Sequence, residues 1–208
     1  MKRGKKCGMW MIPLLAGLAA AFLAGAGPSE KEKELQEELA GKVLRLRVLA
    51  NSDSSQDQEE KLRVRDKVLE YLEPLLADSG SLEESCRIVE EHLEQVEDAA
   101  GEILEREDSG RQVQAALSTE WFPLRVYGRY TFPEGEYRTL KVTVGDGEGH
   151  NWWCVLYPGL CFADAVHPVT EEQEETKEAD SRLGQILPEE VYDFIRYPAR
   201  TKIRFLWF

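Results

Sequence analysis

The sequence predicts an α+β fold, a single domain in which one strand and then two amphipathic helices pack on a mostly antiparallel sheet. Residues 43–50 alternate between two faces in the manner of a strand. Residues 57–76 and 82–105 then carry continuous apolar stripes at helical spacing. After Gly110 the chain consists of short β-like runs joined by turn residues. Because the helices are grouped before most of the strands, they are expected to cover one face of the sheet.

The first strand and the first helix differ in the spacing of their apolar residues, which is two residues in the strand and three or four in the helix. Alternate residues from 44 to 48 occupy one face of the strand, and the polar run 51–55 ends it. Ser55 with Gln58 matches a capping box, which satisfies free N–H groups at the start of a helix. The helix is predicted over residues 57–76. Its apolar stripe consists of Leu62, Leu69, Leu72 and Leu76, with Val68 and Leu75 beside it.

The second helix is predicted as one continuous segment over residues 82–105. Its apolar positions are spaced alternately by four and three residues, so that one face is apolar throughout. They are Leu82, Cys86, Val89, Leu93, Val96, Ala100 and Ile103. Packing on the domain's own sheet is the first interpretation of this stripe, and a coiled coil with a partner is the alternative. Cys86 is expected to be a buried small hydrophobic residue, and the alternative is that it pairs with Cys154 or Cys161 in a disulfide.

The second half of the sequence predicts the sheet. The four runs that read as strands are residues 113–119, 124–132, 138–145 and 151–157. Residues 133–135 have the composition of a turn. The glycine-rich run 145–149 lies between two predicted strands, where it lacks the helix N-terminus that binds phosphate. We interpret it as a hairpin connection.

The N-terminal residues 1–26 predict export from the cytoplasm. Four Lys and Arg residues precede a long uncharged apolar stretch, and the small residues that end at Ala26 form a cleavage pattern. Residues 1–26 are therefore a signal peptide cleaved after Ala26, or an N-terminal anchor if they are retained. Their removal takes away four positive charges and no negative ones, which changes the formal charge from -13 to -17. Such a surface argues against nucleic acid, and against an anionic membrane, as the main partner.

The rest of the chain divides by composition. Residues 27–42 are highly charged and are interpreted as a helix-compatible spacer before the domain of residues 43–165. Residues 166–186 are polar and acidic, which is typical of a mobile linker. Residues 187–208 form a C-terminal segment: Pro188 and two glutamates can open a short helix, and residues 201–208 alternate like a strand.

No catalytic or metal site can be assembled from the sequence. The two Asp-Ser-Gly triplets at 78–80 and 108–110 resemble those of aspartic proteases, but both stand where a helix should end, and glycine is the usual stop there. Every second residue from 51 to 57 has a side-chain oxygen, as in the first half of a calcium-binding loop. The sixth position, where glycine is required, is Gln56, and the twelfth, where glutamate is required, is Leu62. We therefore expect no enzyme activity, no cofactor, no metal and no small-molecule substrate.

The run from His150 to Cys161 is the most unusual part of the sequence. Trp152 and Trp153 are adjacent, so a strand would send their side chains to opposite faces. Cys154 and Cys161 are expected to form a disulfide outside the cytoplasm; zinc binding together with His150 and His167 is the alternative. A two-residue turn would make the cysteines diagonal neighbours about 7–8 Å apart. That separation is too long for a disulfide, so a bulged or longer turn is predicted.

Several of these segments resemble the stage II sporulation protein R family. The likeness is carried by Leu44-Arg45-Leu46-Arg47-Val48-Leu49-Ala50-Asn51-Ser52-Asp53-Ser54, by Tyr127-Gly128 and Phe132-Pro133, and most specifically by Asn151-Trp152-Trp153-Cys154-Val155-Leu156 with Leu160-Cys161-Phe162. It covers roughly residues 43–165 in order. Gly159 and Thr119-Glu120-Trp121 depart from the family pattern, although neither change removes a charged or catalytic group.

The resemblance implies an exported signal in endospore formation. Such proteins are made in the forespore and act in the space between the forespore and mother-cell membranes. There they are needed to activate a membrane-embedded aspartic protease that processes a pro-sigma factor. The alternatives that remain are an extracytoplasmic enzyme acting on the cell wall and a structural protein of the septum.

Two groups of residues are candidates for binding the protease. The aromatic candidates are Trp152, Trp153, Tyr127 and Phe132, because exposed aromatic side chains supply much of the energy of protein interfaces. The alternative interpretation places these aromatic residues in the core. Asn51, Ser52 and Asp53, beside the end of the first strand, form the second candidate surface.

Overall fold

The computed structural model describes residues 28–107, 109–161 and 175–197. The helices are α1 Glu30–Ala40, α2 Ser55–Leu76, α3 Leu82–Glu91, α4 Leu93–Arg106, α5 Glu175–Ile186 and α6 Glu189–Arg196. The strands are β1 Leu44–Leu49, β2 Val113–Phe122, β3 Arg125–Tyr127, β4 Tyr130–Phe132, β5 Gly135–Val144 and β6 Asn151–Tyr157. A compact unit that begins at Leu35 contains all of these strands. The predicted α+β class is confirmed.

The main sheet has the strand order β2-β5-β1-β6 in the described part of the chain. β2 pairs with β5 and β6 pairs with β1 in antiparallel register, whereas β1 and β5 are parallel. The predicted mostly antiparallel sheet is therefore confirmed, but the hairpin predicted at residues 145–149 is wrong. β5 and β6 are not neighbours, because β1 lies between them. Residues 145–149 instead cross the end of β1.

One face of the sheet is covered by α2, α3 and α4. The buried residues at this contact include Leu46, Val68 and Val96, all of which are fully buried. The predicted apolar stripe of the second helix is thus confirmed, although its continuity is not. His92 leaves the helical region, with φ −119° and ψ 16°, and its ring bonds the carbonyl of Ile88 at 2.8 Å. The segment therefore forms two helices that share one apolar face.

The helix α2 begins two residues earlier than predicted, and its N-cap lies one residue earlier. Ser54, not Ser55, is the N-cap, and its hydroxyl accepts a hydrogen bond from the Asp57 backbone N–H at 3.1 Å. Both serines suit a cap chemically, so composition alone does not distinguish them. The position matters because it places the Asp57 side chain against β1 and its loop.

The other face of the sheet is covered only in part, by α1, the β3–β4 hairpin, α5 and α6. Leu39 of α1 and Leu183 of α5 are fully buried in this second cluster. The segment interpreted as a helix-compatible spacer thus contains α1, and the second half of the acidic segment 166–186 contains α5. Leu35 and Ala40 of α1 are partly buried against the same cluster. The helix predicted after Pro188 is confirmed as α6.

Some predictions lie outside the described residues. They are the signal or anchor segment 1–26, residues 162–174 of the domain end and linker, and the strand predicted over 201–208. No helix in the described ranges is long and apolar enough to cross a membrane.

Candidate partner-binding surface

Trp152 and Trp153 point to opposite faces of the sheet, as their adjacency in β6 predicts. Trp152 packs against the cluster under the helices, with the Arg65 guanidinium 4.8 Å from its ring centroid. Trp153 packs against the second cluster, with the Phe122 ring 4.6 Å away and the Arg47 guanidinium at 4.7 Å. Both indoles are partly buried. Each is therefore an aromatic surface held in place by an arginine.

A row of charged and aromatic side chains occupies the uncovered part of the second face. Arg47 bonds Glu120 at 2.6 Å and the Asn151 side-chain oxygen at 2.8 Å, while Lys141 lies 3.7 Å from Glu120. We name Arg47, Glu120, Lys141, Asn151 and Trp153 the arginine–tryptophan surface. About 20 % of the Arg47 and Glu120 side chains is exposed, so the row is fixed by its ion pairs yet reaches solvent.

A buried arginine, Arg45, precedes Arg47 by two residues in β1 and lies on the same face of the sheet. Arg45 is fully buried, and its guanidinium lies over the rings of four aromatic residues. The distances are 4.3 Å to Phe122, 4.9 Å to Tyr137, 5.2 Å to Phe132 and 5.6 Å to Tyr127. Its Nε and Nη2 atoms donate to the Cys154 carbonyl at 3.0 Å and the Tyr127 hydroxyl at 2.8 Å. Burial lowers the pKa of Arg45.

Tyr127 and Phe132 are therefore core residues. Their exposed fractions are 4 % and 0 %, so neither is available to a partner, and their expected place on a binding surface is corrected. The physical reason is the buried Arg45 guanidinium, which needs ring faces and a hydroxyl acceptor in place of water. The binding role of Trp152 and Trp153 stays a prediction.

Asn51 joins three segments at the end of β1. Its side-chain oxygen accepts from the Asp146 backbone N–H at 3.0 Å, and its amide donates to Asp57 at 2.9 Å. Ser52 donates to the same Asp57 oxygen at 2.6 Å. These contacts give Asn51 and Ser52 a structural role in holding the loop. The Asp53 side chain, which is 57 % exposed, instead pairs with the exposed His150 ring. Of this candidate surface, Asp53 is the residue that stays accessible.

The Asp57 carboxylate gives a testable dependence of stability on pH. Hydrogen bonds from Asn51 and Ser52 lower its pKa, and Arg111 at 2.8 Å adds to the effect. A lowered pKa contributes stability that is present above the unfolded value of about 4 and is lost as pH falls below it. We expect Asp57→Asn to lower stability at pH 7 and to reduce the further loss on acidification. Urea midpoints measured against pH check this, with Asp66→Asn at an exposed carboxylate of the same helix as the control.

Cys154 and Cys161 are joined by a disulfide with 5.8 Å between their Cα atoms. The Leu156 carbonyl accepts from Gly159 N at 3.0 Å, and the Val155 carbonyl accepts from Cys161 N at 3.1 Å. The chain thus turns over more than two residues, as the predicted bond requires. Cys86 is buried and forms no disulfide with Cys154 or Cys161. In the described ranges, no group of His, Cys, Asp and Glu side chains is placed to hold a metal ion.

The sequence interpretation missed an exposed apolar patch near β3. Trp121, Leu124 and Val126 are 55 %, 47 % and 61 % exposed. Leu124 and Val126 fall in the strand predicted over residues 124–132, and Trp121 falls between two predicted strands. The available signal was Pro123, which separates β2 from β3 and lets Leu124 and Val126 share the outer side of a two-stranded hairpin.

Comparison with known proteins identifies the family of the chain. Residues 40–167 match the family model for stage II sporulation protein R. The stage II sporulation protein R of Bacillus subtilis (strain 168) is 34 % identical over 183 residues, which cover 88 % of this chain and 81 % of that protein. No solved structure matches the chain. The chain belongs to the stage II sporulation protein R family.

Proposed function

We propose that this protein is an exported signal that activates a membrane-embedded aspartic protease, which then processes a pro-sigma factor during sporulation. Membership of the family supports a role in sporulation signalling. The signal acts between the forespore and mother-cell membranes, and residues 1–26 carry it there. The Cys154–Cys161 disulfide is compatible with an oxidising compartment outside the cytoplasm.

The observation that carries the proposal is the arginine–tryptophan surface. Trp and Arg are enriched among the residues that dominate binding energy at protein interfaces. Here Trp153 is positioned by Arg47 and Phe122, so its orientation is set before any partner arrives. A surface ordered in advance loses less conformational entropy when it binds.

Activation follows if this surface binds the active state of the protease more tightly than the inactive state. A ligand shifts an equilibrium only by its difference in affinity for the two states. The described chain has to supply contacts, not chemistry, in such a step. Trp153 supplies apolar area, and the ion-paired Arg47 and Lys141 orient charged groups of the partner.

Trp153→Ala is expected to reduce activation of the protease about tenfold or more, because loss of a tryptophan that dominates an interface costs about 2 kcal/mol or more, which exceeds the ~1.4 kcal/mol that corresponds to tenfold. The measurement is the rate of pro-sigma factor processing in sporulating cells. In these cells the gene for their own stage II sporulation protein R is replaced by the gene for this chain or its variants. Trp152→Ala is the matched control, since it removes a half-buried indole from the opposite face of the same strand.

The wild-type chain should restore processing, and the Trp152→Ala variant should retain most of it. If exported and folded Trp152→Ala and Trp153→Ala variants both activate normally, the aromatic surface is not the contact. Failure of the wild-type chain to restore processing would contradict the proposed function itself.

A further inference from the structure

Arg125 lies close enough to the buried Arg45 for the two like charges to repel each other. In the β3–β4 hairpin Arg125 pairs with Phe132, and alternation places Arg125 on the same side as Tyr127. Tyr127 and Phe132 both contact the Arg45 guanidinium. Arg125 also lies over the Trp153 ring at 5.5 Å. The two guanidinium groups therefore border the same aromatic cluster from two sides.

Each of these arginines has a buried donor without an acceptor. Nη1 of Arg45 and Nε of Arg125 have no hydrogen-bond partner. In the part of the chain that the structure describes, neither guanidinium forms a salt bridge, although Arg47, Arg111 and Arg196 all do. A buried donor left without an acceptor costs about 1–3 kcal/mol, more if it is charged. Two such donors in one cluster form an incomplete polar site.

The charges point to the kind of group that would complete it. Burial lowers the pKa of Arg45, and the like charge of Arg125 lowers it further. Among the residues that the structure describes, no carboxylate side chain pairs with Arg45 or Arg125, although the chain carries 39 Asp and Glu residues. An anion placed between the two guanidinium groups would reduce their repulsion. It would also accept hydrogen bonds from Nη1 of Arg45 and Nε of Arg125.

We infer that Arg45 and Arg125 form a binding site for a carboxylate, bordered by Phe122, Tyr127 and Trp153. A carboxylate is favoured because its two oxygens match the planar donor geometry of guanidinium groups. Arg125 and Trp153 are partly exposed, whereas Arg45 is not, so the ligand enters from the arginine–tryptophan surface. The carboxylate comes either from a small free acid or from the end of a peptide chain.

The test is thermal unfolding of the purified full-length chain, followed by tryptophan fluorescence, in sodium acetate and in sodium chloride at equal ionic strength. Acetate should raise the melting temperature saturably by about 3 °C relative to chloride. N-acetylglycine tests a chain-terminal carboxylate, and N-acetylglycinamide is its uncharged control. A response to acetate indicates a small free acid; a response to N-acetylglycine alone indicates a peptide terminus.

Arg125→Gln should abolish the stabilisation, whereas Arg65→Gln, which alters the arginine over the other tryptophan, should retain it. Equal melting temperatures of the wild-type chain in all four solutes would overturn the inference. An undiminished shift in Arg125→Gln would also overturn it. If Arg125→Gln does not fold, the acid–amide comparison on the wild-type chain decides alone. Because this test measures binding and not processing, its outcome is separate from that of the proposed function.

Discussion

Replacing Gly149 by alanine is expected to lower the free energy of unfolding by about 3 kcal/mol, at the upper end of the cost of overpacking. An added Cβ would overlap the carbonyl oxygen of Ser52 and lie 2.5 Å from its carbonyl carbon and 2.9 Å from the Cβ of Ala50. Two of these atoms belong to the backbone and cannot rotate away. The Gly149 N–H also donates to the Ala50 carbonyl at 2.9 Å, so a shift of the loop would lose this bond.

The matched control is Gly101→Ala in the middle of α4. A Cβ at Gly101 meets nothing within 4 Å, so this variant should gain up to about 1 kcal/mol from higher helix propensity. Urea unfolding of the two variants and the wild-type chain measures both effects. Equal stability of Gly149→Ala and the wild-type chain would mean that residues 145–149 do not pack against the end of β1 as described.

Reduction of the Cys154–Cys161 disulfide is expected to lower the free energy of unfolding by about 2–3 kcal/mol, because the bond closes a short loop in the unfolded chain. Cys154 is fully buried, and its carbonyl accepts a hydrogen bond from Nε of the buried Arg45. Losing the bond therefore also loosens the turn after β6. Urea unfolding with and without reductant measures the change.

A double variant with Cys154→Ala and Cys161→Ala separates the bond from other effects of reductant. This variant should unfold at the same urea concentration with and without reductant, since Cys86 is its only remaining cysteine in the described residues. The wild-type chain should shift to lower urea. A wild-type chain that is fully reduced, as mass spectrometry would show, and yet is unshifted would contradict the expectation.

Local patterns predicted the helices well because their signal is contained in neighbouring residues. The alternate spacings of four and three placed Val89, Val96 and Ala100 correctly in the core. The break at His92 was missed because a side-chain bond to the Ile88 carbonyl leaves no trace in apolar spacing. The strands β1 and β6 were also located closely, since β1 alternates between leucine and arginine and β6 is a short run rich in aromatic and apolar residues.

Strand order could not be obtained in the same way, because pairing joins residues far apart in the chain. Residues 145–149 have the composition of a hairpin turn, yet they cross the end of β1. The same limit applies to Arg45, which alternation placed on the polar face of a strand. That face belongs to the core because Tyr127 and Phe132 of the β3–β4 hairpin cover it.

The sequence indicated which aromatic residues belong to the candidate site, but it did not predict how they are arranged. The adjacent Trp152 and Trp153 predicted opposite faces, and the structure places them so. Their arginine neighbours were not foreseen, because Arg47, Arg65 and Arg125 reach the rings from three different elements. Contacts of this kind depend on tertiary packing.

The central claim is that the protein acts as a signal outside the cytoplasm. The most direct measurement adds the purified chain to the medium of cells that carry only the membrane protease and its pro-sigma factor substrate, and follows processing of that substrate. The account predicts that added wild-type chain triggers processing and that the Trp153→Ala variant does so at least about tenfold less well. A folded wild-type chain that triggers no processing, in cells where coexpression of the exported chain does, would contradict it.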